Sequence, residues 1–134
     1  MYNNNECELL KNSKRIAVVG LSRNPFKTSR MIADYLIRNG YEIAGVNPNL
    51  NDDFDIPVFK SLTDIPFDID IVNIFRRSED IPELIPDILE IKPRGVWLQL
   101  GIRNDDAVAP LIKNGITVIQ DECIKIVHSM CFGG

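Results

Sequence analysis

The chain has 134 residues, of which 45% are hydrophobic and 25% are charged, and its formal net charge is −4. This length and composition predict one globular domain with a single core. The negative charge argues against a nucleic-acid surface, which needs a basic face. The apolar runs are too short to cross a bilayer, and residues 1–12 are too polar for a signal peptide. We therefore expect neither a nucleic-acid nor a membrane partner.

The three cysteines show no spacing typical of a disulfide framework, which predicts a reduced, cytoplasmic protein. Cys123 and His128 invite a metal or catalytic interpretation. Five positions along a helix, however, place two side chains roughly 140° apart, and no fourth metal ligand stands at a suitable spacing. The sequence therefore predicts no metal site and no catalytic residue. A redox role for Cys123 stays open, because a helix start lowers a thiol pKa.

Strand-like and helix-like runs alternate through the first half of the chain. An apolar strand over 16–19 ends at Gly20, and helical spacing of apolar residues predicts a helix from about 29 to 39. A second strand is predicted over 42–46. Residues 58–59 are a possible short extra strand, followed by a turn of helix near 61–64.

The second half continues the alternation with three strands, over 69–75, 95–98 and 116–119. Ser78 is predicted to cap the helix between the first two, and Pro86 to kink it. Asn104 is predicted to cap a helix that ends at 114, and Asp121 a final short helix.

This alternation, with near-continuous apolar strands, predicts an α/β fold of three layers. Right-handed crossovers restrict it to a Rossmann-like, doubly wound, parallel five-stranded sheet, most simply ordered 3-2-1-4-5. We assign residues 13–134 to this domain and residues 1–12 to an N-terminal extension. Ligands of such sheets bind beyond the carboxyl ends of the strands, where the strand order reverses.

The loop after the first strand has the order of a phosphate site: strand, glycine turn, hydroxyl cap, helix. Its backbone N–H groups would meet an anion, with hydroxyls and a lysine beside them. The alternative is a tight turn with a capped helix and surface cations. The spacing differs from the dinucleotide fingerprint, because the second and third glycines are missing. The candidate residues here are Gly20, Leu21, Ser22, Lys27, Thr28 and Ser29.

Three further strand ends supply candidates. Asn47 stands where an NAD enzyme usually places a carboxylate, and Pro48 could present an apolar edge to a base; the alternative is a simple Asn-Pro turn. Phe75 and Arg76 suit an adenine face and a phosphate, unless Phe75 is core and the arginine is solvated. Gln99 and Gly101 offer an amide and close backbone approach.

Taken together, these segments resemble one family. VVGLSRNP, VNP, DIVNIFRRSEDIP, GVWLQLGI and DECIKI occur in the order and spacing of the stand-alone CoA-binding proteins, single-domain relatives of the CoA-binding region of succinyl-CoA synthetase alpha subunits. The resemblance runs from about Ser13 to His128. Departures from the family pattern include Thr28 for proline, Asp55 for glycine and Glu122 for a basic residue.

The resemblance implies a Rossmann-like, nucleotide-binding domain that holds coenzyme A or an acyl-CoA. Because the chain has no room for the other parts of a ligase, such as an ATP-grasp region or a phosphohistidine segment, we expect binding without catalysis. The pyrophosphate would lie over the first glycine loop and the following helix, and the adenosine near the second and third strand ends. Two alternatives stay open: a small NAD(P)-dependent oxidoreductase, or a redox or regulatory partner linked to CoA through Cys123. No feature of the sequence names a protein partner.

Overall fold

The computed structural model describes residues 4–49 and 55–133. In that part of the chain, strands and helices alternate as predicted. The strands are β1 Arg15–Val19, β2 Glu42–Val46, β3 Val58–Phe59, β4 Ile71–Ile74, β5 Gly95–Leu98 and β6 Thr117–Ile119. The α-helices are α1 Asn4–Lys11, α2 Thr28–Arg38, α3 Ile85–Ile91, α4 Asp105–Lys113 and α5 Ile124–Phe132, with 3-10 segments at Leu62–Asp64 and Ser78–Leu84.

The strands form one parallel sheet in the order β3-β2-β1-β4-β5-β6. This confirms the predicted Rossmann-like order, with one extra strand, since the short run 58–59 pairs with β2 at the edge. Val19, the last residue of β1, lies opposite Val46 and Ile74. The carboxyl ends of the central strands therefore meet at one edge of the sheet.

Both faces of the sheet are covered by helices, which gives the three predicted layers. Alternate residues of each strand point to opposite faces. Ala17 and Val72 face a cluster that contains α3 and α4, whereas Ile16 and Trp97 face a cluster that contains α1, α2 and α5. Burial on both faces explains why the strands are apolar at nearly every position.

Two predicted caps are wrong, and the reason is the same in both. The hydroxyl of Ser78 accepts a hydrogen bond from the Arg103 N–H at 3.0 Å, so it caps no helix. Asp121 likewise accepts the Gly101 N–H at 2.6 Å, and Cys123 occupies the N-cap of α5. Each side chain has a partner distant in sequence that helical periodicity cannot show. The predicted Asn104 cap is confirmed, since its side chain accepts the Ala107 N–H.

Pro86 does not kink a continuous helix. A 3-10 segment over Ser78–Leu84 ends before it, and α3 begins at Ile85, so the proline lies in the first turn of a new helix. The missing N–H is harmless there, because first-turn N–H groups have no partner within the helix.

The first and last helices are joined by a disulfide between Cys7 and Cys131, whose Cα atoms are 5.6 Å apart. The expectation of reduced cysteines is therefore wrong for this pair, because the fold brings together two residues 124 positions apart. Cys123 is the free cysteine. Leu9 and Leu10 of α1 are buried in the core, so this helix packs on the domain.

Reducing the Cys7–Cys131 bond should lower the free energy of unfolding by roughly 2–5 kcal/mol, because it opens a long covalent loop in the unfolded chain. Urea unfolding with and without dithiothreitol measures the difference. Cys7→Ser combined with Cys131→Ser should reproduce the loss and become insensitive to reductant, whereas Cys123→Ser should keep the sensitivity. Three titratable thiols in non-reduced, denatured protein would contradict the prediction.

A buried carboxyl also lies on α1. Glu6 is 6% exposed, and its carboxyl hydrogen-bonds to that of Glu122. Burial, then repulsion from Glu122, raises the pKa of Glu6 from 4.5 to about 7. The folded carboxyl thus keeps its proton over a pH range in which the unfolded carboxyl has lost it.

The free energy of unfolding should therefore fall as the pH rises from about 4.5 to about 7, by roughly 3 kcal/mol, and then level off. Chemical denaturation at several pH values tests this. Glu6→Gln should remove the fall because its amide stays neutral, while Glu8→Gln, on the exposed side of the same helix, should retain it. A wild-type protein equally stable at pH 5 and pH 8 would refute this account of Glu6.

Candidate functional site

A cavity of about 500 Å³ lies at the carboxyl edge of the sheet. Its lining includes residues at the ends of four neighbouring strands: Gly20, Asn47 and Lys60 directly follow β1, β2 and β3, and Arg76 stands two residues after β4. Pro48 lines it as well. Four of the predicted site residues therefore meet in one cavity at the point where the strand order reverses.

Gly20 brings the first loop against the β4 strand end. Its φ is +89°, and a Cβ added there would lie 2.7 Å from the Phe75 carbonyl oxygen. Its N–H donates to the Val46 carbonyl at 2.8 Å. Any side chain at this position would clash with backbone atoms, so the glycine is needed both for its conformation and for the close approach.

The loop after Gly20 is ordered by hydroxyl contacts. The buried hydroxyl of Ser29 accepts the Ser22 N–H at 3.0 Å, and the hydroxyl of Ser22 accepts the Asn24 N–H at 3.1 Å. The predicted hydroxyl cap of α2 is wrong, because Lys27 is the N-cap residue and its side chain makes no capping bond. Lys27 and Thr28 are exposed at this helix start. The first turn of α2 therefore leaves backbone donors that an anion could use.

Asn47 ties two loops together. Its Nδ2 donates to the Leu21 carbonyl at 3.1 Å, and its Oδ1 accepts the Asn49 N–H at 2.9 Å. The second bond makes the local Asn-Pro turn. The Leu21 side chain is buried in the core, so the backbone of that residue faces the loops. Asn47 thus both lines the cavity and fixes its rim.

Arg76 is the arginine that lines the cavity, and acidic neighbours hold it in place. Its Nη2 lies 3.6 Å from Asp80 Oδ2 and 3.6 Å from Glu83 Oε2. The neighbouring Arg77 donates to Asp80, which lowers the pKa of that carboxyl, with a smaller contribution from Arg76. An anionic ligand would compete with these carboxylates for Arg76.

Arg30 and Asp55 form a second ion pair, near the first loop. Both guanidinium Nη atoms of Arg30 donate to the Asp55 carboxylate at 2.9 and 3.0 Å, and this lowers the pKa of Asp55. The negative charge that departs from the family pattern at position 55 is therefore paired within the protein.

Eight predicted site residues lie outside the lining of the cavity: the five of the first loop and helix start, and Phe75, Gln99 and Gly101. The five are Leu21, Ser22, Lys27, Thr28 and Ser29. Phe75 packs against the core. Gln99 is 4% exposed, and its Oε1 accepts from Asn73 Nδ2 and from the Ile124 N–H, both at 3.3 Å, so it anchors the start of α5. Gly101, with φ +87°, has an exposed backbone whose N–H is held by Asp121.

Cys123 and His128 also lie away from the cavity, on the α5 side of the sheet. Tyr35 Oη and His128 Nδ1 are 2.8 Å apart, and Tyr41 contacts the same ring edge-on. Burial lowers the pKa of His128. Cys123 packs against the same core cluster.

Three charged residues of the cavity were missed from the sequence: Lys60, Glu83 and Asp87. Lys60 follows β3, which has only two residues. The short apolar run over 58–59 was the sequence feature that could have pointed to Lys60. Glu83 and Asp87 stand four positions apart, the spacing of side chains on one side of a helix. The change from the 3-10 segment to α3 falls between them, so helical spacing alone did not place them together.

In the part of the chain that the structure describes, no helix is long and apolar enough to cross a membrane.

Comparisons with known proteins agree with this fold. The sequence model of the family described as "CoA binding domain" matches residues 14–129. The uncharacterized protein YneT of Bacillus subtilis is 44% identical over 123 residues, which are 92% of this chain and 91% of that protein. The structure of cell-free ID.343 from Thermus thermophilus is 30% identical with a TM-score of 0.92, over 98% of this chain and all of that one.

A larger protein shares the fold alone. The dinucleotide-forming acetyl-coenzyme A synthetase 1 of Candidatus Korarchaeum cryptofilum superposes with a TM-score of 0.71 at 21% identity, over 83% of this chain and 26% of that chain. The match of the family model over most of the sequence, with the relatives above, decides the assignment: the chain belongs to the CoA-binding domain family.

Proposed function

We propose that this protein binds coenzyme A or an acyl-CoA in the cavity at the carboxyl edge of the sheet, and does so without catalysing a reaction. The observation that carries the proposal is the convergence of four strand ends on one cavity, with Gly20 packed against backbone. Membership of the CoA-binding domain family supports this ligand. A cytoplasmic location belongs to the same proposal.

The diphosphate of the ligand would lie over the loop after β1 and the first turn of α2. Backbone N–H groups there carry partial positive charge, and the lack of a side-chain cap leaves them to an anion. Lys27, Thr28 and the Ser22–Ser29 pair stand at this helix start. Arg76 would reach the phosphates from the β4 side after exchanging Glu83 for the ligand.

The nucleoside would occupy the cavity between the β2 and β4 ends. Asn47 offers an amide whose two ends are already engaged with Leu21 and Asn49. An NAD enzyme would need a carboxylate at this place to bind both ribose hydroxyls. The geometry at Asn47 therefore favours CoA over a nicotinamide dinucleotide.

Titration calorimetry on the full chain should give saturable heat with CoA and acetyl-CoA and none with NADH. Arg76→Gln should weaken CoA binding by about tenfold, because it removes one charge-assisted contact to phosphate. Arg77→Gln is the matched control: this side chain is 73% exposed and outside the lining, so affinity should be unchanged. Saturable heat with NADH and none with CoA would favour the oxidoreductase alternative and contradict our proposal.

Gly20→Ala should lose stability and CoA affinity together. Both Gly20 and Gly101 have positive φ, so alanine costs about 1 kcal/mol at either position. At Gly20 the new methyl also clashes with the Phe75 carbonyl oxygen, whereas at Gly101 it has no neighbouring atom within 4 Å. Urea unfolding and calorimetry on the two variants should show the larger loss at Gly20 in both measurements. Equal losses would mean that close packing at Gly20 does not shape the site.

A further inference from the structure

The charged side chains of the cavity come from two parts of the chain. Lys60 stands on the β3 side, directly after the edge strand. Glu83 and Asp87 stand in the segment that runs from the 3-10 turn into α3, where Glu83 contacts Arg76. The carboxylates of the cavity are therefore grouped around its arginine.

The two cations of the cavity differ in their partners. Arg76 is in contact with Asp80 and Glu83. Lys60 is exposed and forms no ion pair within residues 4–49 and 55–133. Among the described residues, it is thus the lining cation that could bind a second anionic group without first leaving a carboxylate.

The position of Lys60 also fits a group beyond the diphosphate. Phe59, the residue before it, accepts the Asn47 N–H at 3.0 Å, so Lys60 lies one strand beyond Asn47 and two strands beyond Gly20. Two strand spacings amount to roughly 10 Å. A nucleotide with its diphosphate at Gly20 would place its ribose in this interval and a phosphate on that ribose near Lys60.

We propose that Lys60 selects ligands that carry a phosphate ester on the ribose, and orients them with this phosphate toward β3. Arg76 already has Asp80 and Glu83 as partners, whereas the charge of Lys60 is available to this phosphate. CoA and dephospho-CoA differ by this one phosphate, so they are the probes. The inference rests on the proposed CoA site and assigns to Lys60 the recognition of the ribose phosphate.

Calorimetry with CoA and dephospho-CoA on wild type, Lys60→Ala and Lys60→Arg tests it. The wild type should bind CoA about tenfold more tightly than dephospho-CoA, because only CoA can form the partly exposed, charge-assisted contact between its ribose phosphate and Lys60. Lys60→Ala should lower CoA affinity to the level of dephospho-CoA and leave dephospho-CoA unchanged. Lys60→Arg should keep the preference, and added salt should shrink it in the wild type. Lys113→Ala, an exposed lysine in the last turn of α4, should behave as the wild type.

A Lys60→Ala protein that still prefers CoA, or that loses both ligands equally, would overturn the assignment of Lys60 while leaving the CoA site in place. Binding of neither ligand by the wild type would overturn the proposed function and this inference together. A melting curve of Lys60→Ala confirms that the variant is folded, which is expected for an exposed side chain.

Discussion

The site depends on a single close approach, that of Gly20 to the Phe75 carbonyl. Because no side chain separates these backbones, the loop after β1 turns over the end of β4 and leaves room toward β2 and β3. The Asn47 amide then bonds to the Leu21 carbonyl and sets the second side of that space. The parallel sheet places the strand ends at one edge. The close approach of Gly20 and the hydrogen bond of Asn47 then shape the space between these ends into a cavity.

The electrostatics of the cavity follow from the same arrangement. Its arginine is paired with acidic neighbours, so the guanidinium does not present a bare positive charge. A polyphosphate ligand would have to replace Glu83 as the partner of Arg76. Such an exchange would reduce the affinity for simple anions and favour ligands with several contacts.

The sequence predicted the fold well because its signals are local. Apolar runs of strand length, the Asn104 cap and the glycine after β1 each act within a few residues. What the sequence could not show depends on contacts between distant residues: Ser78 and Asp121 bond across loops, Gln99 turns inward to Asn73, and Cys7 meets Cys131. At the candidate site, the strand ends gave Gly20, Asn47 and Arg76, but Lys60 follows a strand too short to carry a clear pattern. The ligand contacts themselves stay predictions.

The bond between Cys7 and Cys131 turns almost the whole backbone into a covalent ring. Cleavage of one peptide bond in a surface loop would then yield a nicked molecule rather than two separable fragments, and the break would show on a gel only after reduction. The same closure places Cys7 of the first helix and Cys131 of the last helix beside one another. This is the geometry that circular permutation exploits, with new termini opened in a loop remote from the cavity.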